Sequence, residues 1–174
     1  MSIKKLVIEN LLILLVSFFF VILLTAPKLT VNVLASWFYY GGAFAFPLLF
    51  VTSASLEFWE IFLGEAKYPF AMPERMGFWE VWLKNMKIGF FEELIFRSPV
   101  WIISLAHLPV VVPAFISSLL FGLAHYEYGP AKVPSAFTSG MFLCAIAVNY
   151  GLMAAIIAHA FLDLFVTIQA IYLK

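Results

Sequence analysis

Residues 152–172 read LMAAIIAHAFLDLFVTIQAIY, and this stretch decides the fold. A helix needs about 20 mostly apolar residues to cross the hydrocarbon core of a bilayer, and the stretch has that length. Its ionisable residues, His159 and Asp163, lie near the middle, where a side chain has no route to the membrane surface. Lipid penalises such groups unless they are paired, face water or do chemistry. The stretch therefore predicts a transmembrane helix that carries functional residues.

The composition of the whole chain is typical of a membrane protein. Of its 174 residues, 64% are hydrophobic and 11% are charged, and the mean hydropathy is +1.03. Soluble domains carry about 25% charged residues. The formal net charge is zero, which indicates no nucleic-acid partner. We predict a single transmembrane domain over residues 1–174, surrounded by the lipid bilayer, with a motif-bearing core at about residues 87–172.

Apolar stretches of spanning length predict an all-α, polytopic bundle of about six transmembrane helices. The fourth and fifth are short for a membrane crossing. The candidate spans are residues 6–26, 31–52, 88–106, 110–125, 134–150 and 152–172.

A polar stretch, residues 53–87, separates the second and third spans. Its second half has helical periodicity, with Glu80, Lys84 and Lys87 on one face and apolar residues on another. Pro73 is placed to begin a helix. The pattern predicts an amphipathic helix lying in the membrane interface before the third span.

The distribution of lysine and arginine predicts the orientation, because cytoplasmic loops are enriched in both. With six spans and a cytoplasmic N-terminus, eight basic residues face the cytoplasm and only Lys28 faces outward. We therefore expect both termini to be cytoplasmic. The eight residues are Lys4, Lys5, Lys67, Arg75, Lys84, Lys87, Lys132 and Lys174.

Six ionisable residues fall within or at the ends of the last four spans. At these depths we expect the third, fourth and sixth spans to bring their groups together in a cavity in the cytoplasmic half of the bilayer, although His159 is a turn or two deeper than the others. Glu127 and Lys132 lie in the loop after the fourth span, where we expect solvated side chains that could border a substrate entrance. The six residues are Glu92, Glu93, Arg97, His125, His159 and Asp163.

Helical spacing divides these residues into pairs. Glu93 and Arg97 are at i, i+4, which favours a structural ion pair, whereas Glu92 is rotated about 100° and can point elsewhere. His159 and Asp163 are also at i, i+4, so the carboxylate can fix the tautomer of the imidazole or compete for its proton. Simpler interpretations stay open, with Glu92 as an interface side chain and His125 as a cation at a helix C-terminus.

Three motifs occur in order on three predicted membrane helices. Residues 92–97 read EELIFR, residues 121–125 read FGLAH and residues 159–163 read HAFLD. Together they resemble the CPBP family of CAAX proteases and bacteriocin-processing enzymes, also called the Abi family, over about residues 87–165. There is no HExxH zinc-protease motif, and the residues around Ser139 do not match a rhomboid-like GxSG.

The resemblance implies a glutamate-dependent intramembrane endopeptidase that acts near the cytoplasmic face on a membrane-associated protein or peptide, lipidated in the case of CAAX substrates. It implies that Glu92 and His125 activate a water, and that His159 and Asp163 stabilise the oxyanion. Glu93, Arg97 and Phe121 are implied as supporting residues. The family often has asparagine at the position of Asp163, so Asp163 either is protonated and donates a hydrogen bond or orients His159 instead.

Other functions remain to be weighed against proteolysis. A non-proteolytic membrane binding or immunity protein of the same fold would keep the helices without needing the whole set of catalytic residues. A proton or ion carrier also uses chains of Glu, His and Asp. Pro47, Pro99 and Pro113 could each break a helix, as in carriers, but no internal repeat pairs them. We expect no cofactor, because Glu92, His125 and His159 could suit zinc chemically but lack the sequence spacing of a zinc site.

Overall fold

The computed structural model describes residues 33–65 and 78–172, and the regular secondary structure in these ranges is helical. A 3-10 turn, Tyr126–Tyr128, follows the fourth of the helices described. The six α-helices of this part of the chain are α1 (Val33–Leu63), α2 (Phe78–Phe96), α3 (Ser98–Leu105), α4 (Val111–Ala124), α5 (Lys132–Tyr150) and α6 (Leu152–Tyr172).

The last three helices lie where apolar length predicts them. Helix α6 has the predicted bounds, and α4 and α5 differ from prediction by no more than two residues at either end. A single residue, Gly151, joins α5 to α6 with φ at 95°, a left-handed conformation that favours glycine. The predicted first span and Pro73 fall outside the described residues.

Helix α1 continues past the predicted end of the second span. It has 31 residues, including Pro47, and reaches Leu63 instead of ending near residue 52. The additional turns are held by packing against the bundle, because Leu56 is buried and the Ser55 hydroxyl lies 3.3 Å from Thr138 Oγ1. Tertiary contacts thus stabilise a helix where polar composition suggested a connecting segment.

The third predicted span, residues 88–106, is wrong as a single helix. Helix α2 begins at Phe78, so the residues expected to lie in an interfacial helix are continuous with those carrying Glu92. The chain then turns at Arg97, and α3 begins at Ser98. Pro99 explains the break, since it has no N–H to bond to the preceding turn and its ring crowds that turn.

Helix α6 forms the middle of the bundle and packs against α1, α2 and α5. Every residue from 154 to 160 is buried, and four of these seven are alanines. Two glycines allow close approach. A Cβ atom on Gly41 of α1 would lie 2.6 Å from Cβ of Ile157, and one on Gly89 of α2 would lie 3.3 Å from the backbone nitrogen of Ala160. Small residues at helix interfaces are typical of membrane bundles.

Hydroxyl groups connect α1 to α5 inside the bundle. The hydroxyls of Thr52 and Ser139 lie 2.8 Å apart, and Ser135 donates to the carbonyl of Thr52 at 3.0 Å. All three side chains are buried. Interhelical hydrogen bonds of this kind stabilise helix association where lipid offers no hydrophobic driving force.

The outer surface is apolar while the polar side chains face inward. On α4, Val111 and Val112 are 74% and 66% exposed, whereas Ser117 and Ser118 are buried. By length and composition, two helical stretches of the described residues could cross a membrane, Trp37–Leu63 and Lys132–Tyr150. Val111–Ala124 and Leu152–Ile168 are shorter apolar helices. This distribution is that of a helical membrane protein.

Candidate active site

A buried carboxylate on α2 connects two cationic or ionisable partners. Oε1 of Glu93 lies 2.8 Å from Nδ1 of His159 on α6, and Oε2 lies 3.4 Å from Nε of Arg97, one turn further along α2. Glu93 and Arg97 are fully buried, and His159 is nearly so. Since a carboxylate accepts, Nδ1 of His159 carries the hydrogen and donates it. The predicted Glu93–Arg97 pair is present.

The opposite edge of the His159 ring faces two further carboxylates. Nε2 lies 3.6 Å from Oε2 of Glu92 and 3.6 Å from Oδ1 of Asp163. The side chains of Glu92 and Asp163 are 30% and 23% exposed, in contrast to Glu93. The imidazole of His159 therefore lies between the fully buried carboxylate of Glu93 and two carboxylates that water can reach.

Phe121 of α4 packs between the charged groups. The guanidinium carbon of Arg97 lies 3.9 Å from the centre of the Phe121 ring, which is close enough for a cation–π interaction. The same ring meets His159 edge-on, with centroids 5.8 Å apart. Gly140 of α5 leaves room for Arg97, because a Cβ there would lie 3.2 Å from Nη2. Phe121, predicted as a supporting residue, thus contacts both Arg97 and His159.

His125 is held at the end of α4 by its own helix. Its Nδ1 atom lies 2.8 Å from the carbonyl oxygen of Phe121, and a carbonyl can only accept. Nδ1 therefore donates, which leaves Nε2 able to accept a proton. The ring stacks at a tilt on Phe121, with centroids 4.5 Å apart. In the described part of the chain, no hydrogen bond or close ion pair joins His125 to Glu92.

Glycine sets the position of His125 relative to α5. A Cβ on Gly122 would lie 2.6 Å from the carbonyl oxygen of Val133, closer than any real side chain allows. Helices α4 and α5 therefore touch through their backbones three residues before His125. The close approach places the end of α4 and the beginning of α5 beside the same cluster.

The structure brings the predicted site residues of three helices together. Glu92 was expected about one turn into its span, but α2 begins at Phe78, so Glu92 lies about four turns along the helix. Glu92 and Glu93 meet His159 at the same level of the bundle, although His159 was expected to lie a turn or two deeper. The contact between Glu93 and His159 was not predicted.

Lys132 was expected in a solvated loop that could border a substrate entrance. It is instead the first residue of α5 and is half-buried. Its charge acts on Glu92, His125 and Asp163. Glu127 is exposed, as expected. No sequence signal separates the two, since both occur in a short polar segment.

Tyr128, in the turn after His125, also borders the site. Its ring centroid lies 5.8 Å from that of His125. A hydrogen bond to Glu127 raises the pKa of Tyr128 to about 12, so the phenol stays neutral and donates to the carboxylate. Tyr128 can therefore help to fix the position of the His125 ring without carrying charge.

A comparison with known proteins adds an independent finding. The family model for type II CAAX prenyl endopeptidases of the Rce1-like kind matches residues 74–165, which is just over half of the chain. The matched region contains all seven residues predicted for the site. No curated protein and no solved structure matches the chain.

Proposed function

The chain belongs to the Rce1-like family of type II CAAX prenyl endopeptidases, and we propose that it hydrolyses a peptide bond at the cluster around His159. One observation carries the proposal. Two partly exposed carboxylates, Glu92 and Asp163, converge on Nε2 of an imidazole whose Nδ1 is held by a third. A packing role does not require an acid and an imidazole to be presented to water in this way.

Glu92 is the proposed general base. A water between Glu92 and Nε2 of His125 gives up a proton to Glu92 as its oxygen attacks the scissile carbonyl carbon. His125 orients this water, because its Nδ1 is already committed to the Phe121 carbonyl and its Nε2 can accept. The two side chains have no direct contact within the described residues, which is consistent with a bridging water.

The remaining groups act on the tetrahedral intermediate. Its oxyanion is stabilised by hydrogen bonds from Nε2 of His159, when that atom is protonated, and from the protonated carboxyl of Asp163. Glu92 then delivers its proton to the amide nitrogen, the C–N bond breaks, and two shorter peptides leave. Glu93 and Arg97 act as positioning residues, because they hold the ring of His159 from the buried side.

The proposed substrate is a membrane-associated protein or peptide, including lipidated ones, because the family acts on CAAX prenyl substrates and the chain exposes an apolar surface. Together with the predicted orientation, this puts the reaction in the cytoplasmic half of the bilayer. The non-proteolytic alternative of the same fold predicts binding without cleavage.

The test is a peptide-cleavage screen with purified protein in detergent and in liposomes, using prenylated and unmodified C-terminal peptides. We expect cleavage by the wild type and a loss of about 10³-fold in Glu92→Gln, which keeps the shape and removes the base. The matched control is Glu57→Gln, an exposed acid on α1, which should retain activity. Cleavage that survives in Glu92→Gln would contradict the proposed base, and a wild type that binds peptides without cutting them would favour the binding protein.

A further inference from the structure

A groove on the surface of α2 contains the carboxylate that is proposed as the general base. Its volume is about 420 Å³. Among the described residues, its lining consists of Lys84, Lys87, Ile88, Phe91 and Glu92. Glu92 therefore shares one cavity with two lysines that have no part in the proposed chemistry.

The two ends of the groove differ in charge and in exposure. The side chain of Glu92 is 30% exposed, whereas Lys84 and Lys87 are exposed. Ile88 and Phe91 line the groove between the acid and the cations. The groove thus leads from the reaction centre, past an apolar middle, to two ammonium groups in a wetter setting.

Helix geometry sets the distance between the two ends. Lys87 and Lys84 precede Glu92 on α2 by five and eight residues, which corresponds to a rise of roughly 7.5 and 12 Å at 1.5 Å per residue. An extended peptide advances about 3.3–3.6 Å per residue. A peptide that lies in the groove with its scissile bond at Glu92 therefore reaches the lysines about two to four residues further on.

An anionic group is the chemical partner that this end of the groove fits. A lysine ammonium carries a full positive charge and three hydrogen-bond donors. In the proposed CAAX substrates the motif lies at the C-terminus, so an α-carboxylate follows a few residues after any bond cut within it. Glu92 would repel that carboxylate close to the reaction centre, and the lysines attract it to the far end of the groove.

We propose that Lys87 and Lys84 are specificity-determining residues that bind the α-carboxylate at the C-terminus of the substrate. The inference rests on the proposed peptidase function and defines which part of the substrate occupies the groove. With the carboxylate at the lysines, about two to four residues lie along Ile88 and Phe91, and the scissile carbonyl carbon meets the water beside Glu92. The site thereby selects a bond near a free chain end, with apolar residues between the bond and the end.

The experiment uses the full-length protein and one peptide sequence that the wild type cleaves, prepared as the free acid and as the C-terminal amide. We expect kcat/KM of the wild type to be at least about tenfold higher for the acid, as for one hydrogen bond to a charged group. In the double variant Lys84→Met/Lys87→Met, the value for the acid should fall to that for the amide, mainly through a raised KM. The value for the amide should change by less than about threefold.

The matched control keeps both positive charges. Lys84→Arg/Lys87→Arg should retain the preference for the acid, because a guanidinium also binds a carboxylate. Thermal unfolding of the Met variant should lie within about 2 °C of the wild type, since both side chains are exposed. If the double Met variant does not fold, the two single Met variants are compared on the same acid and amide.

The length of the peptide beyond the scissile bond provides a second measurement. Free-acid peptides with one, three or six residues after the bond should give the highest kcat/KM at about three in the wild type, because that length spans the distance from Glu92 to the lysines. The double Met variant should cleave the three peptides at rates within about threefold of one another. A wild type that is indifferent to this length would contradict the proposal.

The outcomes distinguish carboxylate binding from the proposed function and from contact with lipid. A wild type that cleaves no peptide overturns both proposals. Equal cleavage of acid and amide by the wild type overturns the role of the lysines alone. A loss for both peptides in the Met variant, seen in vesicles containing phosphatidylserine and not in vesicles of phosphatidylcholine, would assign the lysines to anionic headgroups and overturn it as well.

Discussion

Nδ1 of His159 and Oε1 of Glu93 are 2.8 Å apart across the interface of α2 and α6, although 66 positions separate the residues in the sequence. This hydrogen bond fixes the tautomer of His159, because Nδ1 must donate to the carboxylate. Asp163, on the same helix as His159, is 3.6 Å from the other ring nitrogen. The orienting acid is thus the buried Glu93, which leaves Nε2 and Asp163 for the substrate.

The buried pair of Glu93 and Arg97 should stabilise the fold as a unit. Glu93→Gln or Arg97→Met alone leaves an uncompensated buried charge, and we expect each to lower the free energy of unfolding by roughly 3–5 kcal/mol. The double variant should be more stable than the sum of the single losses predicts. Unfolding in detergent, followed by circular dichroism, measures the coupling, and simple additivity would show that the pair contributes nothing.

His125 should be needed for the reaction and dispensable for folding. In His125→Asn the amide can still donate to the Phe121 carbonyl, as Nδ1 does, but the group at the position of Nε2 is gone. We expect a loss of about 10²- to 10⁴-fold in kcat with little change in thermal stability, because the residue is half-buried at a helix end. An Asn variant as active as wild type would exclude His125 from water activation.

Asp163 should be protonated and donate a hydrogen bond to the oxyanion, since Glu93 already orients His159. An asparagine amide can donate at the same place, so Asp163→Asn should keep kcat/KM within about tenfold of wild type. Asp163→Ala should lose about 10²-fold or more, as expected for an oxyanion donor. Steady-state kinetics of the two variants decide the matter. Asn and Ala variants that are equally impaired would instead indicate that the negative charge of Asp163 is required.

Two adjacent glycines of α1 offer a matched test of the helix packing. Gly41→Ala would place a Cβ 2.6 Å from Cβ of Ile157, so we expect a destabilisation of about 1–3 kcal/mol from overpacking. Gly42→Ala meets only Phe161, at 3.8 Å, and should be neutral or stabilising by up to about 1 kcal/mol, because alanine favours the helix. Thermal unfolding compares the two, and equal effects would contradict the close contact of α1 with α6.

Activity should survive treatment with a strong chelator. Glu92, His125 and His159 do not have zinc-ligand spacing in the sequence, and within the described residues no group of three His, Cys, Asp or Glu side chains is arranged to hold a metal ion. Cleavage is measured before and after dialysis against chelator, with Glu92→Gln as the inactive reference. Activity that is lost and then restored by added zinc would establish a metal enzyme and replace Glu92 as the sole activator of water.

Apolar length predicts helices well in this chain, and side-chain contacts between helices poorly. The bounds of α6 follow from the sequence because lipid requires a long apolar stretch. Pro99 was recognised as a residue that could break a helix, but the third span was still assigned as one helix across Arg97. The extension of α1 to Leu63 was missed because its stabilising contacts are with α5, and local patterns do not describe contacts between helices.

In the candidate site, too, contacts within one helix were predicted and contacts between helices were not. The Glu93–Arg97 pair follows from i, i+4 spacing, which a single helix determines. The Glu93–His159 hydrogen bond depends on the rotation and relative height of two helices, which the sequence of neither helix determines. The partial burial of Lys132 was not predicted, because a lysine in a short polar segment is ordinarily solvated and the packing of α4 on α5 is a contact between helices.

The face of the Phe121 ring covers Arg97, and the same ring stands nearly perpendicular to the ring of His159. The ring therefore separates the fully buried guanidinium of Arg97 from the part of the site that water can reach. Water that enters the proposed site after product release would then leave the Arg97–Glu93 ion pair intact. The imidazole proposed to act in catalysis would then return to the same orientation after each turnover.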